Sequence, residues 1–298
     1  MGWNAYPTDP ESKVIQTDLL IGGVKVFAFG LENVSLPKPG DTKKVAALFV
    51  LHGVQNNHLL TDSIAHLIVD GRLKQNADAD YPLVAFAIDL PNHGERAVDL
   101  RYNGFAHPYY NIAVGSSIDA AAYDVKNILE FLPAYYPQFE FEPYSLGTSL
   151  GGLISFRLAS LIPLKGIINI VGAPDLPGVL YNLVVQTAKE DVTPGTYKKK
   201  YEELELSEDL QKKYPKVLHD NLSLASKKYF EVANTIPLLD IYGELDFLVN
   251  SALSSEVIEK AGVPGYDVEV YSEPVDHTTT ITMIEKVKEW LYKRLDAA

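Results

Sequence analysis

The sequence predicts an α/β fold: a mostly parallel β-sheet covered by helices on both faces, with a helical segment inserted late in the chain. Three observations predict it. Short, continuous apolar runs bounded by Gly, Pro or Asn recur along the chain, as strands buried on both faces require. Between them lie stretches with apolar residues at helical spacing, and this alternation builds a parallel sheet. From Pro174 to Asn234 the rhythm stops for about sixty residues, too long for an ordinary connection.

In chain order, Val14–Leu20 and Val24–Leu31 flank Gly22-Gly23 and read as an opening β-hairpin. Buried strands are then expected at Val45–Leu51, Leu83–Ile88, Phe139–Leu146, Lys165–Val171 and Ile236–Tyr242, with a last strand at Tyr266–Tyr271. Helical spacing covers Leu59–Lys74, Ser117–Leu132, Leu150–Leu161, Ser251–Lys260 and Thr278–Leu295. The inserted region carries helical patterns at Leu176–Thr187 and His219–Val232 around a charged stretch, Lys198–Lys213. The expected organisation is a core of residues 1–173 and 235–298 with a helical cap at 174–234.

Composition excludes several classes of function. Twenty-six basic residues against thirty-nine acidic ones give a formal net charge of −13, which repels phosphate backbones and anionic headgroups. No nucleic acid partner is expected. There is no cysteine, so thiolate nucleophiles, disulfides and cysteine metal sites are ruled out. The N-terminal stretch has Pro and acidic residues where a signal peptide needs a basic and then an apolar run, and no eighteen-residue apolar run follows. A cytoplasmic protein with no stable membrane anchor is the expectation.

The chemistry centres on Gly147-Thr148-Ser149-Leu150-Gly151, a Gly-x-Ser-x-Gly motif expected by chance only about 0.07 times in a chain of this composition. Its setting adds to its weight, because it follows one strand and opens a helix. A serine on so tight a turn takes a strained backbone, and flanking glycines let neighbouring backbone approach it. The helix start also directs free N–H groups and a positive dipole end at developing negative charge. Ser149 is therefore the candidate nucleophile.

An acid should come from a later strand end. Asp246, in Gly243-Glu244-Leu245-Asp246 after the Ile236–Tyr242 strand, is the choice, with Glu244 and Asp175 as competitors. With the order Ser, acid, His that accompanies this motif, His277 is the one histidine left after Asp246. His52, in Leu51-His52-Gly53-Val54 directly after the first buried strand, reads as an orienting histidine, the competing role being catalytic base.

At His52-Gly53, Asp89–Glu95, Gly147–Gly152, Gly243–Asp246 and Asp276-His277 the chain resembles the α/β-hydrolase superfamily, most closely its esterase, lipase and peptidase-like serine hydrolases. The Asn92–Arg96 variant and the helix after Ser117 are similar to a fungal branch. The resemblance implies the α/β-hydrolase fold, a mostly parallel eight-stranded sheet with helices on both faces and an inserted helical cap. It also implies an oxyanion hole formed by the backbone N–H groups of Val54 and Leu150. His93 is structural in that pattern. Serine at 149 replaces the aspartate of dehalogenases and epoxide hydrolases, and the His-Gly-Gly-Gly and His-Gly-Gly-Pro-Gly signatures of other branches are absent.

The expected reaction is cleavage of a small-molecule carboxylic ester through a Ser149–His277–Asp246 triad and an acyl-enzyme, with no metal and no cofactor. Three alternatives share these residues: an acyltransferase, a carbon–carbon bond hydrolase and a non-catalytic ligand-binding protein. Asn56, His107 and Tyr109 are the candidate substrate-binding residues, and the rings of Tyr102, Tyr109 and Tyr110, after the Asp89 strand, are candidates to line an apolar pocket or to serve as ordinary packing.

Overall fold

The computed structural model describes residues 5–185, 192 and 194–298. Eight strands form one sheet: β1 (Gln16–Ile21), β2 (Val24–Phe29), β3 (Lys43–Leu51), β4 (Leu83–Ile88), β5 (Phe139–Thr148), β6 (Gly166–Ile170), β7 (Leu238–Gly243) and β8 (Val268–Glu273). Their spatial order is β1-β2-β4-β3-β5-β6-β7-β8. The opening hairpin is antiparallel, β2 meets β4 antiparallel, and every other neighbouring pair is parallel.

Burial explains the sequence pattern of each strand. The central strands β4 and β6 are buried at every residue, so they read as uninterrupted apolar runs. The edge strands β1 and β8 are buried only in part and carry polar residues, Gln16, Thr17 and Asp18 in β1 and Glu269, Ser272 and Glu273 in β8. Gly22 and Gly23 both take positive φ, 58° and 80°, in the two-residue turn that pairs Ile21 with Val24.

Helices cover both faces. On one face, α1 (His58–Gln75) and the C-terminal α8 (Ile281–Asp296) bury Ile64, Ile68, Ile284, Val287 and Leu291 against Leu48, Val50, Ile168 and Ile241. On the other, α2 (Tyr110–Tyr135) and α3 (Leu150–Ala159) bury Ile118, Val125, Ile154 and Phe156 against Phe49, Leu51 and Ile167. Each such side chain removed from water contributes about 1.5–3 kcal/mol. Asn57 caps α1 by accepting the Leu59 N–H at 3.0 Å, and Thr280 caps α8 by accepting that of Met283 at 3.1 Å.

Between β6 and β7 the chain forms α4 (Leu176–Val185), 3-10 turns at Thr196–Lys198 and Tyr201–Leu204, α5 (Glu208–Lys213) and α6 (Lys216–Val232). The end of the expected helix Leu176–Thr187 lies outside the described residues. Helix α6 runs along α3, where the Phe156 and Tyr229 rings meet edge to face at 4.8 Å.

Two helices depart furthest from expectation. Helix α2 begins at Tyr110, seven residues before Ser117, and no side chain caps its start at Tyr109, so the usual sequence signal is missing. Ser251–Lys260 forms a 3-10 turn, Ser251–Ser254, and then the single-turn α7, Ser255–Ile258.

Candidate active site

Parallel register brings the carboxyl ends of β3, β5, β6, β7 and β8 to one edge of the sheet. Leu51 pairs with Gly147, Thr148 with Ile170, and Ile170 with Ile241. Ser149 lies just past β5, at φ 54° and ψ −114°, a conformation a non-glycine residue rarely adopts. Its N–H donates to the Ile170 carbonyl at 2.8 Å, which ties the strained residue to β6. The turn demands glycine on both sides. A Cβ on Gly147 would collide with the Gly151 carbonyl, and one on Gly151 with the Leu51 carbonyl.

Asp246 and His277 reach the serine from β7 and β8. His277 Nε2 lies 2.7 Å from Ser149 Oγ, and its Nδ1 lies 2.7 Å from Asp246 Oδ2. Asp246 is buried, and its Oδ1 accepts the backbone N–H groups of Leu248 and Val249 at 2.9 and 3.0 Å. A carboxylate can only accept, so Nδ1 carries the imidazole proton and Nε2 accepts from the serine hydroxyl. The two loops are stitched by backbone bonds from Glu244 N–H to the Glu273 carbonyl, 2.8 Å, and from Leu245 N–H to the Val275 carbonyl, 3.0 Å. Gly243 permits this approach, since a Cβ there would sit 2.5 Å from the carbonyls of both Val275 and Asp276.

The competing acids are engaged elsewhere. Glu244 accepts the Ser272 hydroxyl at 2.8 Å. Asp175, buried at the start of α4, accepts backbone N–H groups from Gly178, Thr196 and Tyr197, and burial pushes its pKa up to about 6. His52 likewise has both ring nitrogens occupied: Nδ1–H donates to the Gly53 carbonyl at 2.8 Å, and Nε2 accepts the Leu90 N–H at 3.1 Å. Burial lowers its pKa to about 3, so it stays neutral and braces the loop that carries Val54.

Val54 and Leu150 line the same cavity as Ser149 and His277. Leu150 is the first residue of α3, so its N–H has no acceptor within the helix and points with the positive end of the dipole. Beneath the turn, Asn169 donates to Asp240 at 2.5 Å and to the Gly172 carbonyl at 2.9 Å. Burial raises the Asp240 pKa to about 6.

The cavity over Ser149 has a volume of about 410 Å³ and mainly apolar walls, including Val114 of α2, Val179, Leu180 and Leu183 of α4, and Phe247. This size and character suit a small organic substrate. The three substrate-binding residues expected from sequence do not line it. Asn56 faces an adjoining cavity, His107 lines a small hollow on the far side of Phe105, Tyr110 and Leu183 and packs on Tyr102 at 4.0 Å, and Tyr109 is 53% exposed. Gln55, Phe105 and Tyr110 line it instead. The early start of α2 is the reason: helical periodicity turns Tyr110 and Val114 to the cavity and leaves Tyr109 outside. A Tyr110, Val114, Ile118 spacing was the available signal.

Among the described residues, no group of three or more His, Cys, Asp or Glu side chains could hold a metal ion, and no helix is long and apolar enough to cross a membrane.

No family model and no curated protein sequence matches the chain. Solved structures do. The chain is similar to the Thermus thermophilus protein TT1662, with a TM-score of 0.65 and 20% identity over 96% of this chain and 100% of that one. Mouse alpha/beta hydrolase domain-containing protein 10 gives 0.54 and 16% over 95% and 99%, and the Pyrococcus furiosus esterase Pf2001 gives 0.53 and 19% over 97% and 97%. At these identities the likeness defines the fold. The chain has the α/β-hydrolase fold, as its sequence predicts.

Proposed function

We propose that this chain is a serine hydrolase that cleaves carboxylic esters, carboxylesterase- or lipase-like, with Ser149 as nucleophile, His277 as general base and acid, and Asp246 as the group that orients it. The observation carrying this reading is the continuous relay from Ser149 Oγ through His277 to Asp246, both links 2.7 Å, on a strained turn at a helix start. That Pf2001, of the same fold, is an esterase by name is consistent with it.

The geometry supports the following cycle. His277 Nε2 takes the Ser149 hydroxyl proton as Oγ bonds to the ester carbonyl carbon. The N–H groups of Val54 and Leu150 stabilise the oxyanion, each such donor being worth about 10²–10³ in rate. The carbon–oxygen bond to the alcohol breaks, and the departing oxygen takes the proton from His277. Water then gives a proton to His277 and its hydroxyl to the acyl carbon, and Ser149 recovers its proton as the carboxylic acid leaves. Asp246 holds the Nδ1–H tautomer and stabilises the imidazolium throughout.

In this reading residues 174–234 form a helical cap on the core of residues 1–173 and 235–298, with α4 roofing the acyl site. Turnover of p-nitrophenyl butanoate is expected to fall by about 10⁴-fold or more in Ser149→Ala. Equal turnover in both proteins would contradict the assignment.

A further inference from the structure

The loop after β3 divides the apolar cavity from a second one. Gln55 lines both, and its Nε2 donates to the Asn103 carbonyl at 2.9 Å, which draws this loop against the segment preceding α2. The second cavity measures about 510 Å³. Its walls are more polar than those over Ser149, with Asn56, Asn57, His58, His93 and Glu95 beside one large apolar side chain, Leu100.

One polar side chain in these walls is open to a ligand. The Asn56 amide, half-buried, has no hydrogen-bond partner among the described residues and offers both a donor and an acceptor, while Asn57 uses its side-chain oxygen to cap α1. His93 is buried and donates from Nδ1 to the Pro91 carbonyl at 2.9 Å. A hydroxyl group, itself donor and acceptor, complements the Asn56 amide.

The same walls disfavour charged ligands. None of the lining residues is Lys or Arg, and the Glu95 carboxylate is already paired with Lys25 Nζ at 3.3 Å, so the walls offer no unpaired charge to an ionic ligand. A quaternary ammonium would seek an open aromatic face, but the His58 ring lies stacked against Phe27, 3.9 Å between centroids and 9° between planes.

We propose that the polar cavity receives the alcohol portion of the ester, and that this alcohol is neutral and polyhydroxylated, with the acyl chain in the apolar cavity across Gln55. The inference rests on the serine-hydrolase reading above. Hydrolysis transfers the acyl group from the sugar-like alcohol to Ser149 and then to water, releasing the free polyol and the carboxylic acid.

The test compares kcat/KM for glucose 6-butanoate, ethyl butanoate and butanoylcholine in wild type, Asn56→Leu and Glu95→Leu, with thermal melting to verify folding. Wild type should prefer the glucose ester over ethyl butanoate by about tenfold, and each variant should cut that ratio about fivefold, the effect of losing one hydrogen bond to a hydroxyl. A ratio near one in wild type, a ratio unchanged in both variants, or a preference for butanoylcholine would overturn the proposal while leaving the hydrolase reading intact. Absence of any Ser149-dependent hydrolysis would overturn both.

Discussion

The sheet edge and the helical segment above it place their functional groups by different means. At the edge the main chain sets positions: Ser149 is tied to Ile170, Asp246 to Leu248 and Val249, and the His277 loop to the β7 loop through Glu244 and Leu245. Glycines at 147, 151 and 243 allow backbones to approach where no Cβ fits. Over the cavity, side chains of Val179, Leu180 and Leu183 make the wall, and their helix is anchored through one buried carboxylate, Asp175, and the Ser226 hydroxyl, which accepts the Leu176 N–H at 3.1 Å. In the proposed function, chemistry that tolerates little displacement is built from backbone, and substrate shape is left to side chains that can change without disturbing it.

Substitutions in the two regions should therefore fail differently. The largest effect is expected at Asp246→Asn, whose amide can still accept from the backbone but would turn N–H groups toward His277 Nδ1 and favour the wrong tautomer. A fall in kcat of about 10⁴-fold is expected with KM little changed, measured by steady-state hydrolysis of a p-nitrophenyl ester. Gly243→Ala comes next. The added methyl must push the Val275 and Asp276 carbonyls away and carry His277 with them, and a misplacement of about 1 Å costs about 10²-fold in rate. A variant that melts like wild type yet loses this activity would sharpen the distinction, and one with full activity would break it.

In the roof, Leu183→Trp should narrow the cavity while sparing the relay. The ratio of kcat/KM for octanoyl over acetyl esters is expected to fall about tenfold, the scale on which an apolar pocket discriminates chain length. An equal loss on both esters would show that the roof also positions the chemistry.

The same division decides what could be read from sequence. Strands β3 to β7 and the nucleophile turn were legible because burial on both faces and steric demands leave little choice of residue: Gly147 and Gly151 sit where the fold admits only hydrogen. That Asp246 and His277 would come together beside Ser149 followed from chain order and strand ends. The cavity wall was not legible in that way. Val114 sits on a helix with an uncapped start, and Phe105, Leu180 and Phe247 come from three distant segments whose side chains converge only after packing. Of the other residues expected from sequence, Asn56 faces the second cavity, while His107 and Tyr109 point away from the one over Ser149, because neighbouring residues on a helix or turn face different directions.

The central claim, that Ser149 is an activated nucleophile, is tested most directly by treating the folded protein with an alkyl fluorophosphonate and mapping the adduct by mass spectrometry. The relay predicts one stoichiometric adduct on Ser149, absent from Ser149→Ala and formed far more slowly in His277→Ala. No adduct on the folded wild type, or equal labelling of the Ser149→Ala protein, would contradict it.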